Sequence, residues 1–223
     1  MFREYFIMGE RQCHPIAADV SASELAFAEP LSVALHAVNR AGSVLGKTVL
    51  VTGGGPIGCL IVVAARLAGA ARIAVTDVVD RPLATAKTVG ADQCVRADRL
   101  PDRAGTLAEV VGEPEVAFEV SGSPAALATC LATTTRGGRI VQVGSLPADG
   151  VQLLANQIMA REIDYVGTFR FGAEFEWAVG YLTDRRVDVR PLLSAQYPLR
   201  EAEAAFRLAG DKSRSIKVQL VAA

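Results

Sequence analysis

Short apolar runs rich in β-branched residues alternate with longer segments of helical periodicity between residues 47 and 170. The run KTVLVT at 47–52 predicts a buried strand, because it is short, apolar and flanked by glycine. Apolar positions then recur at helical spacing from Ile57 to Ala68, and Gly69 ends this predicted helix. The pattern continues with strands predicted at 71–77, 93–95, 115–120, 139–144 and 162–171, and with helices predicted at 80–90 and 124–134.

Strands that alternate with helices predict right-handed βαβ units and an open parallel sheet covered on both faces. The strands are mostly apolar, as expected for parallel strands buried on both sides. The predicted fold class is therefore α/β, with a doubly wound parallel sheet of the Rossmann type. The chain ends break the alternation: residues 1–30 predict an edge strand and a turn, and the tail after residue 182 predicts a strand, a short helix and a strand.

Composition and charge exclude several classes of function. The 223 residues carry 23 Lys and Arg against 24 Asp and Glu, so a net charge of −1 provides no broad attraction for nucleic acid or anionic lipid. No apolar run approaches the ~18 residues of a membrane span. Arg3, Glu4, Glu10 and Arg11 stand where a secretory signal needs its apolar core. We therefore expect a cytoplasmic protein with neither a membrane nor a nucleic-acid partner.

The four cysteines are too far apart for a local zinc site. They stand at 13, 59, 94 and 130, without a Cys-x-x-Cys spacing. Cys59 and Cys130 lie in apolar segments and are expected to be small core residues in a reduced protein. Only two histidines occur, which limits histidine-based metal or acid–base chemistry.

A glycine-rich turn lies between the first predicted strand and the first predicted helix. In Gly53-x-Gly55-x-x-Gly58, the first glycine allows the tight turn, the second lets the backbone approach a pyrophosphate, and the third permits close helix–strand packing. Free N–H groups and the dipole at the helix start then face the phosphates. Asp77 ends the next strand, where a carboxylate accepts hydrogen bonds from both ribose hydroxyls. The combination predicts a dinucleotide site.

Asp77 favours NAD over NADP. A carboxylate ~4 Å from a 2′-phosphate is repelled by about 4 kcal/mol at an effective dielectric of ~20 before screening. Arg81 is the nearest basic candidate to offset that repulsion, or it is a solvated arginine in the first helical turn. The alternative ligand of such a turn is S-adenosylmethionine, in a methyltransferase. Pro56 and the absence of an acidic residue from the loop favour the dinucleotide.

Six segments carry a resemblance to a known family: FAEPLSVALHAV (27–38), VTGGGPIGCL (51–60), FEVSGSP (118–124), GGRIVQVG (137–144), VGTFRF (166–171) and IKVQLV (216–221). The chain resembles the zinc-dependent medium-chain dehydrogenase/reductases, and within them the sorbitol and L-idonate 5-dehydrogenase branch. By this resemblance, residues 1–30 are a remnant of a GroES-like β catalytic domain. Residues 31–184 are the NAD(P)-binding Rossmann domain, and residues 185–223 return to the catalytic domain.

The resemblance implies hydride transfer between NAD(P) and a polyol or sugar acid, at a zinc that polarises the alcohol oxygen. The substrate that it favours is L-idonate, oxidised to 5-ketogluconate, with a sorbitol or threonine dehydrogenase fragment as the alternative. The family's zinc-ligand cysteine, Gly-His-Glu motif and four-cysteine lobe are missing here, since neither His14 nor His36 is followed by Glu. We therefore expect an engineered cofactor domain, a shortened gene product or a misplaced start codon. Such a chain would be inactive alone and would hold no zinc firmly.

The resemblance also implies roles for individual residues. Glu29 matches the glutamate at or behind the catalytic zinc, although in this chain a helix-start carboxylate before Pro30 is the simpler interpretation. His36, in an apolar helix, is expected to be a packing residue. Phe169 and Arg170 match the pair at the carboxamide and substrate end, with a salt-bridged interface as the alternative for the arginine. The other implied cofactor residues are Pro56 and Ile57 in the glycine turn, Val120, Ser121 and Gly122 after the fourth strand, and Val143 and Gly144 after the fifth.

Two hypotheses without catalysis stay open: a cofactor-binding or dimerisation module, and a regulatory nucleotide sensor. The strand predicted at 162–169 lies at a sheet edge where, by resemblance, two cofactor domains pair across a two-fold axis. An exposed apolar strand is an aggregation hazard when it is unpaired. We therefore expect a homo-dimer or a tetramer.

Overall fold

The computed structural model describes residues 2, 5, 7–16, 19–100 and 103–222. None of the helices in these ranges is both long enough and apolar enough to cross a membrane. The strands are β1 (Thr48–Thr52), β2 (Arg72–Asp77), β3 (Gln93–Arg96), β4 (Val116–Glu119), β5 (Arg139–Gln142), β6 (Asp164–Gly167), β7 (Leu193–Pro198) and β8 (Lys217–Val221). The α-helices are α1 (Ala22–Leu25), α2 (Ala28–Ala41), α3 (Pro56–Leu67), α4 (Asp80–Thr88), α5 (Arg103–Val111), α6 (Pro124–Thr133), α7 (Ala155–Arg161), α8 (Glu174–Thr183) and α9 (Ala202–Gly210).

The main sheet is parallel throughout, with the strand order β3-β2-β1-β4-β5-β6. The chain moves outward from β1 to β3 and then returns to the other side of β1 for β4, β5 and β6. This reversal beside β1 is the switch point at which open α/β sheets bind their ligands. The predicted doubly wound Rossmann fold is confirmed.

The central strands bury both of their faces. In β1, Val49 and Val51 belong to a core that includes residues of α2, α3, α4 and α8, whereas Leu50 belongs to a second core with residues of α5 and α6. Because side chains alternate along a strand, one apolar run is divided between two cores. Burial of each such side chain contributes about 1.5–3 kcal/mol, so both helix layers hold the sheet.

Most of the predicted elements between residues 47 and 144 are confirmed, and the largest differences follow that range. Strand β6 ends at Gly167 instead of 171, because the chain then leaves the sheet and Arg170 adopts a φ of +56°. The sequence pattern did not predict helices α5, α7 and α8. The sequence of α8, EFEWAVGYLT, mixes aromatic and β-branched residues with glycine, so packing against α2 decides its helical state more than propensity does.

The two chain ends gave different outcomes. The tail forms β7, α9 and β8, as predicted, and the two strands pair in parallel as a small sheet of their own. The edge strand predicted within 1–30 is not found among the described residues, which instead form a 3₁₀ turn at Glu10–Gln12, then α1 and the start of α2. A strand needs a neighbour for its backbone groups, and this part of the structure provides none. The parts of that prediction at residues 1, 3, 4, 6, 17 and 18 lie outside the described residues.

Candidate functional site

A cavity of about 510 Å³ opens at the carboxyl ends of β1, β2 and β4. The turn after β1, the residues after β2 and β4, and the end of α9 with the following loop all contribute to its lining. This is the edge of an open α/β sheet at which ligands bind. The predicted cofactor residues that line it are Gly53, Gly55, Pro56, Ile57, Gly58, Asp77, Val120 and Ser121.

The turn after β1 requires glycine at two positions for steric reasons. A Cβ at Gly58 would lie 1.8 Å from the carbonyl oxygen of Gly53, so α3 can begin this close to β1 only without a side chain there. Gly53 has a φ of +101°, which side chains disfavour. A Cβ at Gly55 would meet nothing within 4 Å. The middle of the turn is therefore open to a ligand.

Helix α3 begins at the cavity without a side-chain cap. Gly55 is its N-cap residue and Pro56 lies in its first turn. The first N–H groups of a helix lack intrahelical partners, and the dipole there favours an anion by about 0.3–1 kcal/mol. Cys59 lies buried in the next turn, where its thiol donates to the Gly54 carbonyl at 3.1 Å and burial raises its pKa to about 12. Its predicted role as a core residue is confirmed.

The Asp77 carboxylate is fastened to the backbone around the same turn. Its Oδ2 accepts a hydrogen bond from the Gly54 N–H at 2.7 Å, and its Oδ1 accepts from the N–H groups of Val78 and Val79 at 2.7 and 3.0 Å. A carboxylate has about four lone-pair positions, so acceptor capacity is left for a ligand hydroxyl. The side chain is half-buried and lines the cavity.

The basic side chains near Asp77 differ in their partners. Arg81 is exposed and forms no ion pair within the described part of the chain. Arg96 is the neighbour of Asp77 across the β2–β3 pair, but it is engaged by Asp80 at 2.8 Å and by Asp98 at 2.7 Å. Asp98 and Asp80 raise the pKa of the Arg96 guanidinium. Arg81, four residues after Asp77 in sequence, therefore keeps no ion-pair partner among the described residues, although it does not line the cavity.

The loops after β4 and β5 touch each other beside the cavity. Val120 and Ser121 line it, whereas Gly122, Val143 and Gly144 do not. A Cβ at Gly144 would lie 2.2 Å from the amide nitrogen of Gly122, so the two backbones are in direct contact. Val120 and Ser121 therefore form part of the cavity wall. Gly122, Val143 and Gly144 belong to the same two loops but lie outside the lining.

The sequence pattern of the family described as "Zinc-binding dehydrogenase" matches residues 56–184, which is more than half of the chain. The chain belongs to the zinc-binding dehydrogenase family.

Individual relatives agree with this assignment. The chain is 43% identical over 220 residues to L-idonate 5-dehydrogenase (NAD(P)(+)) of Escherichia coli (strain K12), covering 99% of this chain and 63% of that protein. It is 33% identical over 219 residues to a sorbitol dehydrogenase of Gallus gallus, covering 97% and 61%. The crystal structure of the Escherichia coli L-idonate 5-dehydrogenase superposes with a TM-score of 0.88, at 43% identity, over 95% of this chain and 60% of that one. The chain spans about three fifths of the length of these relatives.

The described part of the chain contains no set of side chains that could bind the zinc ion for which this family is named. Glu29 is exposed in the first turn of α2 and does not line the cavity. No three His, Cys, Asp or Glu side chains come together there as a metal-binding group. A zinc site needs three or four such ligands, so the described residues do not fit a zinc ion.

Phe169 and Arg170 are not brought to the cavity. They follow β6, two strands beyond β4, and neither lines the cavity. The Phe169 side chain is 81% exposed, and the Arg170 guanidinium carbon lies 5.3 Å from the centre of its ring. Their implied contact with the carboxamide therefore stays a prediction.

Sequence patterns alone did not indicate Glu174, which anchors the loop that carries Phe169 and Arg170. Its Oε2 accepts from the Gly172 N–H at 2.8 Å, and its Oε1 lies 3.0 Å from the Nδ1 of His36 and accepts from Asn39 at 2.9 Å. Burial alone would raise the pKa of Glu174, but hydrogen bonds from His36, Gly172 and Asn39 lower it to about 2. His36 thus contacts a buried carboxylate outside the cavity.

Lys212 is a second residue that only the tertiary structure indicates. It follows α9 in sequence, yet it lines the same cavity as the glycine turn. It is the only cationic residue in the described lining. The polar cluster DKSRS between a helix and the last strand was the available sequence signal.

We predict that Gly58→Ala destabilises the protein far more than Gly55→Ala. The methyl group at 58 overlaps the Gly53 carbonyl, so α3 must move away from β1, and overpacking of this kind costs about 1–3 kcal/mol or more. The methyl group at 55 enters open space. Urea unfolding followed by circular dichroism measures both, and equal losses in the free energy of unfolding would contradict the contact.

We also predict a pH-dependent contribution from Glu174. Its folded pKa of about 2 lies below the ordinary 4.5, so the carboxylate stabilises the fold above pH 4.5, and this stability is lost as the pH falls towards 2. Glu174→Gln should therefore cost most near pH 7 and progressively less below pH 4.5. Urea unfolding between about pH 3 and pH 7 tests this, with the exposed Glu203→Gln as the control. A cost that does not change with pH would refute the assignment.

Proposed function

We propose that the chain binds a nicotinamide dinucleotide and forms the cofactor-binding part of a polyol or sugar-acid dehydrogenase. The observation that carries the proposal is the position of Asp77, held at 2.7 Å by the Gly54 N–H beside the open Gly55 and the uncapped start of α3. A helix start favours an anion, and a fixed carboxylate favours a diol. A dinucleotide offers both, as a pyrophosphate and a ribose.

Each wall of the cavity has a task in this proposal. The turn at 53–58 and Lys212 hold the pyrophosphate, and Asp77 accepts hydrogen bonds from the ribose hydroxyls. Val120 and Ser121 contact the start of the nicotinamide half. The parts of this half that extend beyond the cavity would meet Gly122, Val143, Gly144, Phe169 and Arg170, which do not line it. When bound, the nicotinamide ring exchanges a hydride with the substrate carbon. The task of this chain is to bind and orient the cofactor and to exclude water along the apolar lining.

The charges beside Asp77 support NAD as the preferred cofactor. The carboxylate repels a 2′-phosphate, and the neighbouring Arg96 is already paired with Asp80 and Asp98. Arg81 is the remaining cation that offsets this repulsion, so NADP is accepted more weakly. The name of the 43% identical relative, L-idonate 5-dehydrogenase (NAD(P)(+)), includes both cofactors.

For the whole enzyme we propose L-idonate, oxidised to 5-ketogluconate, because the L-idonate dehydrogenase is more similar to this chain than the sorbitol dehydrogenase is, at 43% against 33% identity. Zinc would be held mainly by residues outside the matched three fifths of such an enzyme, with Glu29 near it. Residues 1–30 and 185–223 would belong to that catalytic domain. Alone, the chain is proposed to bind the dinucleotide without turnover.

A homo-dimer or tetramer is part of the proposal. Strand β6 is the last strand of the main sheet, and its outer edge pairs with no strand in the described structure. Exposed strand edges favour pairing with another chain. A second copy of β6 would satisfy this edge.

Calorimetry on the full chain tests the proposed function. We expect saturable NADH binding that Asp77→Ala weakens about tenfold, because hydrogen bonds to a charged group are lost. NADPH should bind the variant no more weakly than it binds the wild type, since the repulsion is removed. The exposed Asp149→Ala is the control. A folded wild-type chain that binds no NADH would refute the proposal.

Lys212→Met should weaken binding of both NADH and ADP about fivefold, and more at low salt, because it removes the one cation of the described cavity lining, which is proposed to hold the pyrophosphate. Arg214→Met is the matched control, since Arg214 lies in the same loop but does not line the cavity. Titrations at two salt concentrations measure the effect. Equal losses in both variants would show that the loop as a whole matters, and not the charge of Lys212.

A further inference from the structure

Glu119, the last residue of β4, is a buried carboxylate without a cationic partner in the described ranges. Its side chain is 0% exposed. Oε1 accepts hydrogen bonds from the N–H and hydroxyl of Ser121 at 2.9 and 2.6 Å, and Oε2 accepts from the Gly122 N–H at 3.1 Å and the Gln142 amide at 2.5 Å. Burying a carboxylate without a cation costs free energy of desolvation. The hydrogen bonds from Ser121, Gly122 and Gln142 offset this cost.

The Gln142 amide extends this network to β5. Its Nε2 donates both to Glu119 and to the Gly144 carbonyl, at 2.5 and 2.7 Å, and its Oε1 accepts from the Tyr165 hydroxyl at 3.0 Å. Because the carboxylate is a pure acceptor, it keeps the amide nitrogen on the side of Gly144. Glu119 thereby joins the loop after β4 to the loop after β5.

The strand order places this network across β1 from Asp77. Asp77 ends β2, whereas Glu119 and Gln142 end β4 and β5 on the other side of the switch point. If a dinucleotide places one ribose at Asp77 and its pyrophosphate at the glycine turn, its other half extends over the ends of β4 and β5. The network lies directly beneath the loops that this half would meet.

We propose that Glu119 is a positioning residue whose buried carboxylate fixes the loops at 120–122 and 143–144 for the nicotinamide half of the dinucleotide. The proposal rests on the proposed dinucleotide function. This role accounts for a buried carboxylate at the last position of β4, where an apolar side chain would pack against the sheet without the cost of burying a charge. Without that acceptor, the Ser121 N–H, the Gly122 N–H and the Gln142 amide would be buried with poorer partners, and both loops would lose their fixed geometry.

The test compares NADH with ADP, which has the adenosine ribose and the pyrophosphate but no nicotinamide half. Glu119→Gln keeps the shape of the side chain but places an amide donor against the donors of Gln142 and Gly122. For the full chain carrying this substitution, we expect about tenfold weaker NADH binding and ADP binding within about twofold of the wild type. The ratio of the two affinities is the readout, because general destabilisation would not change it selectively.

Thr134→Val is the matched control. It removes another buried hydrogen bond, from the Thr134 hydroxyl to the Cys130 carbonyl at 2.7 Å, near the amino end of β5. It should leave the ratio unchanged. If Glu119→Gln does not fold, Gln142→Ala tests the same link and should show the same selective loss.

Equal loss of NADH and ADP binding, or no loss of either, would overturn the role of Glu119. A wild-type chain that binds neither ligand would instead refute the proposed function on which this role rests.

Discussion

The packing of α3 against the end of β1 determines where the candidate site lies. With no side chain at Gly58, the helix approaches the Gly53 carbonyl so closely that its uncapped first turn points into the cavity. The same turn presents the Gly54 N–H to Asp77 and leaves Gly55 open. The helix start, the open backbone and the carboxylate therefore act as one unit. Moving the helix would disturb all three.

Around that unit, the charges are arranged by partners that are distant in sequence. Asp77 is held by backbone amides, Lys212 lines the same cavity, and Arg96 is paired with two aspartates. Glu119 adds a second fixed carboxylate below the neighbouring loops. Such an arrangement suits a ligand with a central anionic group and a hydroxylated sugar, and it leaves little free positive charge for an additional phosphate.

The part of the chain that matches the zinc-binding dehydrogenase family can be considered for two separate tasks, cofactor binding and zinc binding. The family match covers residues 56–184, which include β2 to β6 and α3 to α8. The described residues of the chain provide no zinc ligand set. The proposed dinucleotide binding can therefore be tested in this chain through variants of the cavity residues.

Local patterns were sufficient to predict β1 to β5, α3, α4, α6 and the glycine turn with Asp77. Periodicity and glycine spacing act between near neighbours, and Asp77 lies on the strand that follows the turn directly. The roles of Glu174, Lys212 and Glu119 were not visible in this way. Glu174 meets His36 across 138 positions of the chain, and Glu119 depends on Gln142 of the adjacent strand. A contact between distant segments imposes no periodicity on either one, so only the folded chain shows which polar groups become partners.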